Sequence, residues 1–116
     1  MSEPTHSSNV QIITNGDMTH TLNSIPSNID EVVSYSVQAI FTGTPSGTLQ
    51  LQCSDDVPIT GPPVNWTIVT DSVQGVTTAG SYVVNVELPA YSWVRLQYIP
   101  MAGSGTLNAR INAKRR

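Results

Sequence analysis

Charge is scarce in this chain. Asp, Glu, Lys and Arg make up 11% of its 116 residues, against about 25% in an ordinary soluble domain. Three of the five basic residues, Lys114, Arg115 and Arg116, are the last three. The preceding 113 residues hold only Arg95 and Arg110 against eight acids, a net of −6. Such a body repels a phosphate backbone, so no nucleic-acid partner is expected. Cysteine is scarcer still. Cys53 stands alone, which excludes an intramolecular disulfide framework. With only His6 and His20 beside it, a Cys/His zinc site is excluded too. No apolar run approaches the roughly 18 residues of a membrane span, so no membrane partner is expected. Met1 to Asn9 lacks the basic and apolar regions of a secretory signal.

Uncharged polar residues take the place of charge. Ser, Thr, Asn and Gln number 13, 13, 8 and 6, and Val adds another 13. Abundant Val and Thr, with 8 Gly and 8 Pro, favour strands over helices. The length fits one domain with one core.

Period-2 alternation recurs along the chain. Val33 to Thr42 places Val37, Ala39 and Phe41 on one face and Ser34, Ser36 and Gln38 on the other. Thr48 to Cys53 sets Leu49, Leu51 and Cys53 against Gln50 and Gln52, which predicts Cys53 as a buried free thiol. Trp66 to Thr70 and Ser72 to Thr77 read as short strands. Val84 and Val86, Val94 and Leu96, and Leu107 and Ile111 extend the candidate core in three later strands. Val10 to Thr14 and Met18 to Leu22 flank Asn15-Gly16, a strong hairpin signal, because a type I′ turn needs positive φ at both central residues. The sum is about eight strands with turns between them. It predicts an all-β, antiparallel β-sandwich, jelly-roll-like, with an N-terminal β-hairpin arm over residues 1–30 and the sandwich over 31–116.

Catalytic chemistry finds little footing. His20 falls on a polar strand face. No nucleophile stands near a base in any recognisable motif, so no enzymatic activity and no cofactor are expected. Asp55-Asp56 with Asn65 offers loop oxygens for a calcium ion, but adjacent carboxylates after a strand more often form a solvated turn, and no metal is expected.

From Ile29 to Lys114 the chain resembles a β-sandwich module of structural proteins of tailed bacteriophages and prophages. The residues that carry the likeness are Tyr35-Ser36-Val37-Gln38-Ala39, Phe41-Thr42-Gly43-Thr44-Pro45-Ser46-Gly47-Thr48-Leu49-Gln50-Leu51-Gln52, Ser54-Asp55-Asp56, Asn65-Trp66-Thr67, Trp93-Val94-Arg95-Leu96-Gln97-Tyr98 and Gly103-Ser104-Gly105-Thr106-Leu107-Asn108-Ala109. The resemblance implies a virion component: a capsid decoration, head-associated or head-tail protein. Its partners would be copies of itself and other virion proteins such as the major capsid protein, and its location the virion, after synthesis in the host cytoplasm. A lone hairpin is marginal in water, so the arm needs an edge of its own sandwich or of a neighbour. The neighbour is favoured, with Val10, Ile12, Met18, Leu22, Lys114, Arg115 and Arg116 as contact residues. The alternative is a carbohydrate-binding, host-recognition module of a tail or fibre, with Trp66 and Trp93 as the sugar platform.

Overall fold

Alternating sequences fold as strands because each face then meets one environment. A computed structural model describes residues 6–57 and 61–115. Ten strands follow in order: β1 (His6–Asp17), β2 (Leu22–Asn23), β3 (Ser27–Asn28), β4 (Val32–Gly43), β5 (Ser46–Ser54), β6 (Thr67–Ile68), β7 (Gln74–Val76), β8 (Gly80–Glu87), β9 (Trp93–Ala102) and β10 (Gly105–Arg115). No helix occurs among the described residues.

Two antiparallel sheets form. The first has the order β1-β10-β4-β8. The second runs β2-β9-β5-β6, with β3 also on β9 and β7 also on β5. Taking β2 with β3, and β6 with β7, as single interrupted strands leaves eight. Their winding between the sheets is that of a jelly roll. The β2–β3 interruption has a local cause. Ser24 replaces a strand residue with its side chain: its N–H donates to Leu96 O, and its Oγ accepts from Leu96 N, both at 2.8 Å. Pro26 follows, which has no N–H to offer a ladder.

The core lies between the sheets. Nine of the eleven residues expected there are buried: Val37, Ala39, Phe41, Leu49, Leu51, Val94, Leu96, Leu107 and Ile111. Val84 and Val86 are only half-buried. They stand on β8, an outer strand, and have neighbours on one side only. Cys53 also departs from expectation, being half-buried. It lies toward the end of β5, where only two-residue β6 covers that side.

The hairpin does not form. Asn15-Gly16 lies inside β1, which pairs with β10 from His6↔Arg115 to Asp17↔Thr106. Asn15 does take positive φ, 49°, but as part of a bulge: the register slips between Ile13 and Gly16. Asn15 N donates to Asn108 Oδ1 at 2.8 Å, which holds the bulge against β10. The chain turns after Asp17 instead. The Asp17 carboxylate accepts from Thr19 N at 2.9 Å and Thr19 Oγ1 at 2.7 Å. A long ladder with β10 outweighs a two-stranded hairpin because it brings Ile12, Ile13 and Met18 into the core. Residues 6–30 thus contribute β1, β2 and β3 to the two sheets.

Candidate functional site

The sandwich is open along two sides, and each opening is an apolar cleft beside a strand edge that no other strand among the described residues pairs with. On one side β1 is the outer strand of the first sheet. Residues His6 to Gln11 pair one for one with Arg115 to Arg110, so this half of the edge is regular; the bulges lie beyond it. The facing β2–β3 segment, broken at Pro26, reaches β1 where Ile25 N donates to Ile12 O at 3.2 Å and leaves Val10 half exposed. A cleft of about 300 Å³ remains, lined by Val10, Ile12, Ile25, Ile29 and Ile111 among others. Val10 is 51% exposed and Ile25 66%. Among the described residues, the one ionic side chain lining it is Arg115. Arg115 donates to Asp30 O and Asn28 O, both at 3.3 Å, which fixes its guanidinium at the mouth.

The opposite side is the β8 edge. There a cleft of about 500 Å³ is lined by Cys53, Ile68, Val86, Leu88 and Tyr91 among others, with Glu87 the one ionic residue among the described ones. Leu88 is 75% exposed and held at φ 51°. Its N–H donates to Val33 O at 2.7 Å, so the strained backbone is anchored while the side chain points away from the core. Sequence reading passed over this cleft. Its one signal was Leu88-Pro89, an apolar residue stranded where proline ends the strand.

The residues expected at a contact divide. Val10 and Arg115 belong to the β1 cleft. Ile12 and Met18 are buried in the core, and Leu22 packs against it. Lys114 lies on the outer face of the first sheet, beside Ser34, Asn112 and Glu87. Arg116 lies outside the described residues.

The two tryptophans are half-buried near one end of the second sheet. The Arg95 guanidinium lies 4.4 Å from the centroid of the Trp66 ring, a cation–π contact on one of its faces. Gln52 Oε1 accepts from Arg95 Nε at 2.7 Å and holds it there. Trp66 Nε1 donates to Pro63 O at 3.1 Å. The same outer face carries an amide ladder: Gln97 Oε1 accepts from Gln50 and Gln52 at 2.9 and 3.2 Å, and Gln97 Nε2 donates to Asn23 at 2.9 Å. The first sheet has its own ladder, in which Arg110 donates to Asn9 and Gln11, and Gln11 to Asn108.

Asp56 is a latch. Its Oδ2 accepts from Val64 N at 2.8 Å and Asn65 N at 2.9 Å, and its Oδ1 from Asn65 Nδ2 at 3.1 Å. These bonds hold its carboxyl below the usual aspartate value, the Asn65 N–H first. Asp55 Oδ1 accepts from Ser92 N at 3.2 Å. Among the described residues no three His, Cys, Asp or Glu side chains gather as a metal site would need. His20 is exposed, 3.8 Å from the Asp17 carboxylate. The side chain of His6 lies outside the described residues.

No family model matches the chain, and no curated protein matches it by sequence. The fold does have solved counterparts. The crystal structure of SPBc2 prophage-derived protein YomS matches with a TM-score of 0.59 and 10% identity, over 97% of each chain. A chain of the infectious bursal disease virus Gx strain structure matches with a TM-score of 0.59 and 15% identity. It covers 97% of the present chain, which spans 33% of the viral one. At these identities what is shared is the fold: an antiparallel sandwich found in a prophage-derived protein and in a virus.

Proposed function

We propose that this protein is a non-catalytic structural component of a bacteriophage virion. In this reading it is a capsid decoration or head-associated protein, or a head-tail component, that binds the particle and copies of itself through subunit contacts. The observation that carries the reading is the regular half of the β1 edge, His6 to Gln11, with which no other strand among the described residues pairs, and exposed Val10 and Ile25 over an apolar cleft. An open edge with apolar cover is a template for another chain. The outer faces suit the same role. Their amides are already hydrogen-bonded to one another, so packing them against a neighbour desolvates few charges.

Carbohydrate recognition is the weaker reading, because one face of Trp66 is occupied by Arg95. The test is binding of the purified protein to particles lacking it, followed by sedimentation and microscopy. Saturable occupancy is expected, and glycan-array binding is not. Particles that never take up the protein would refute the proposal.

A further inference from the structure

The two open edges are complementary to each other, and from this we infer that copies of the chain join head to tail, the β1 edge of one against the β8 edge of the next. The inference rests on the structural role proposed above and names the partner of the β1 edge: a second copy presenting the opposite side.

Three features match across the joint. Direction is the first. In the order β1-β10-β4-β8 every pairing is antiparallel, so β8 runs opposite to β1. Shifting a copy sideways in the plane of the sheet therefore brings β8 and β1 together as antiparallel neighbours. Level is the second. The register links Ser7 through Lys114 and Ser34 to Glu87, and Val10 through Ile111 and Val37 to Val84. The regular half of β1 thus stands level with Val83 to Glu87, and Val10 of one copy would meet Val84 of the next.

Charge is the third. Glu87 and Lys114 both stand on the outer face of the first sheet, on the row that runs Ser7, Lys114, Ser34, Glu87. The register places both at the same end of the sheet. A head-to-tail joint sets Glu87 of one copy beside Ser7 of the next, one strand from that copy's Lys114 and on the same face. The exposed apolar residues are covered in the same step: Val10 and Ile25 from one copy, Leu88 and Ile68 from the other. Such heterologous contacts close into a ring or run on as a filament, according to the rotation per copy.

The test uses two double variants at exposed positions: Val10→Lys with Ile25→Lys, and Glu87→Lys with Leu88→Lys. Thermal melting establishes that each still folds. Sedimentation is read at a concentration where the unaltered protein associates. Each variant alone is expected to be a monomer, because one of its edges is blocked. Their equimolar mixture is expected to form a species of twice the 12.5 kDa protomer mass and nothing larger, since only one joint is possible. Assembly of the Glu87/Leu88 variant at the unaltered level would mean that β1 meets β1, and would overturn the inference. So would a mixture that stays monomeric. If the unaltered protein is always a monomer yet binds particles, the inference falls and the structural role stands. If it does neither, both fall.

Discussion

The hydroxyls of Tyr35 and Tyr91 meet at 2.5 Å, with their rings edge to face at a 6.5 Å centroid distance and a 72° angle. Tyr35 belongs to β4 in the first sheet, and Tyr91 lies two residues before β9 in the second. The contact therefore ties the sheets together beside the β8 cleft. Tyr35→Phe is expected to lower stability by about 1 kcal/mol, the usual net worth of one hydrogen bond. Tyr91→Phe should cost a similar amount, and the double variant little more than either, because both remove the same bond. Urea denaturation of the three variants checks this.

Alkali should unfold the protein through its buried phenols. Burial pushes Tyr82 up to about 12, and its hydroxyl donates to Ser72 O at 2.6 Å, a bond the phenolate could not make. Burial also raises Tyr35, and the Tyr91 hydroxyl adds to it. In both cases the folded value exceeds the unfolded one, so the fold favours the protonated phenol. That stabilisation is complete below the ordinary tyrosine value of about 10 and is lost as the pH rises above it. The urea midpoint should hold up to about pH 10 and then fall. A midpoint that stays flat to about pH 12 would contradict this assignment.

Removing the Asp56 carboxylate should loosen one loop and leave the sandwich intact. In Asp56→Ala the amides of Val64 and Asn65 lose their acceptor, and both should exchange with deuterium markedly faster. Core amides such as that of Leu51 should keep their protection. Because the carboxyl value is depressed in the fold, the latch is present above the ordinary aspartate range and should release as the pH falls below it. A chelator is expected to leave the melting temperature unchanged.

Gly47 should tolerate no side chain. A Cβ there would lie 2.3 Å from Ile99 O and 2.6 Å from the Tyr98 hydroxyl. Tyr98 is fully buried, so its ring has nowhere to withdraw. Gly47→Ala is expected to destabilise by roughly 3 kcal/mol, the upper range for forcing extra atoms into a packed site. Thermal denaturation reads the effect.

Cys53 should react slowly as a native thiol although it is half-buried. Burial raises its pKa, and the nearby Asp55 charge raises it further. Little thiolate is then present at neutral pH, and the thiolate is the nucleophile. Alkylation near pH 7 should run several-fold slower on the folded protein than in urea, and should quicken as the pH rises. Equal rates in the two states would refute this.

The strand content was legible in the sequence because alternation is a local property. Val37 to Phe41, Leu49 to Leu51 and Leu107 to Ile111 each declare a strand with one apolar face, and the two-sheet architecture follows from burying those faces together. The sequence also marked Val10 and the basic end as unusual. Pairing was not legible. Asn15-Gly16 carries the same positive-φ preference in a hairpin turn and in a bulge, and only the presence of β10 alongside decides between them. Nor could alternation distinguish Val84 and Val86 from Val37. All three share the pattern, but Val37 sits on an inner strand and the other two on an outer one. The same holds for Ile12 and Val10, neighbours on one strand face, one buried and one half open. Which strands lie at the edges depends on contacts between residues far apart in the chain. The clefts therefore belong to the tertiary structure.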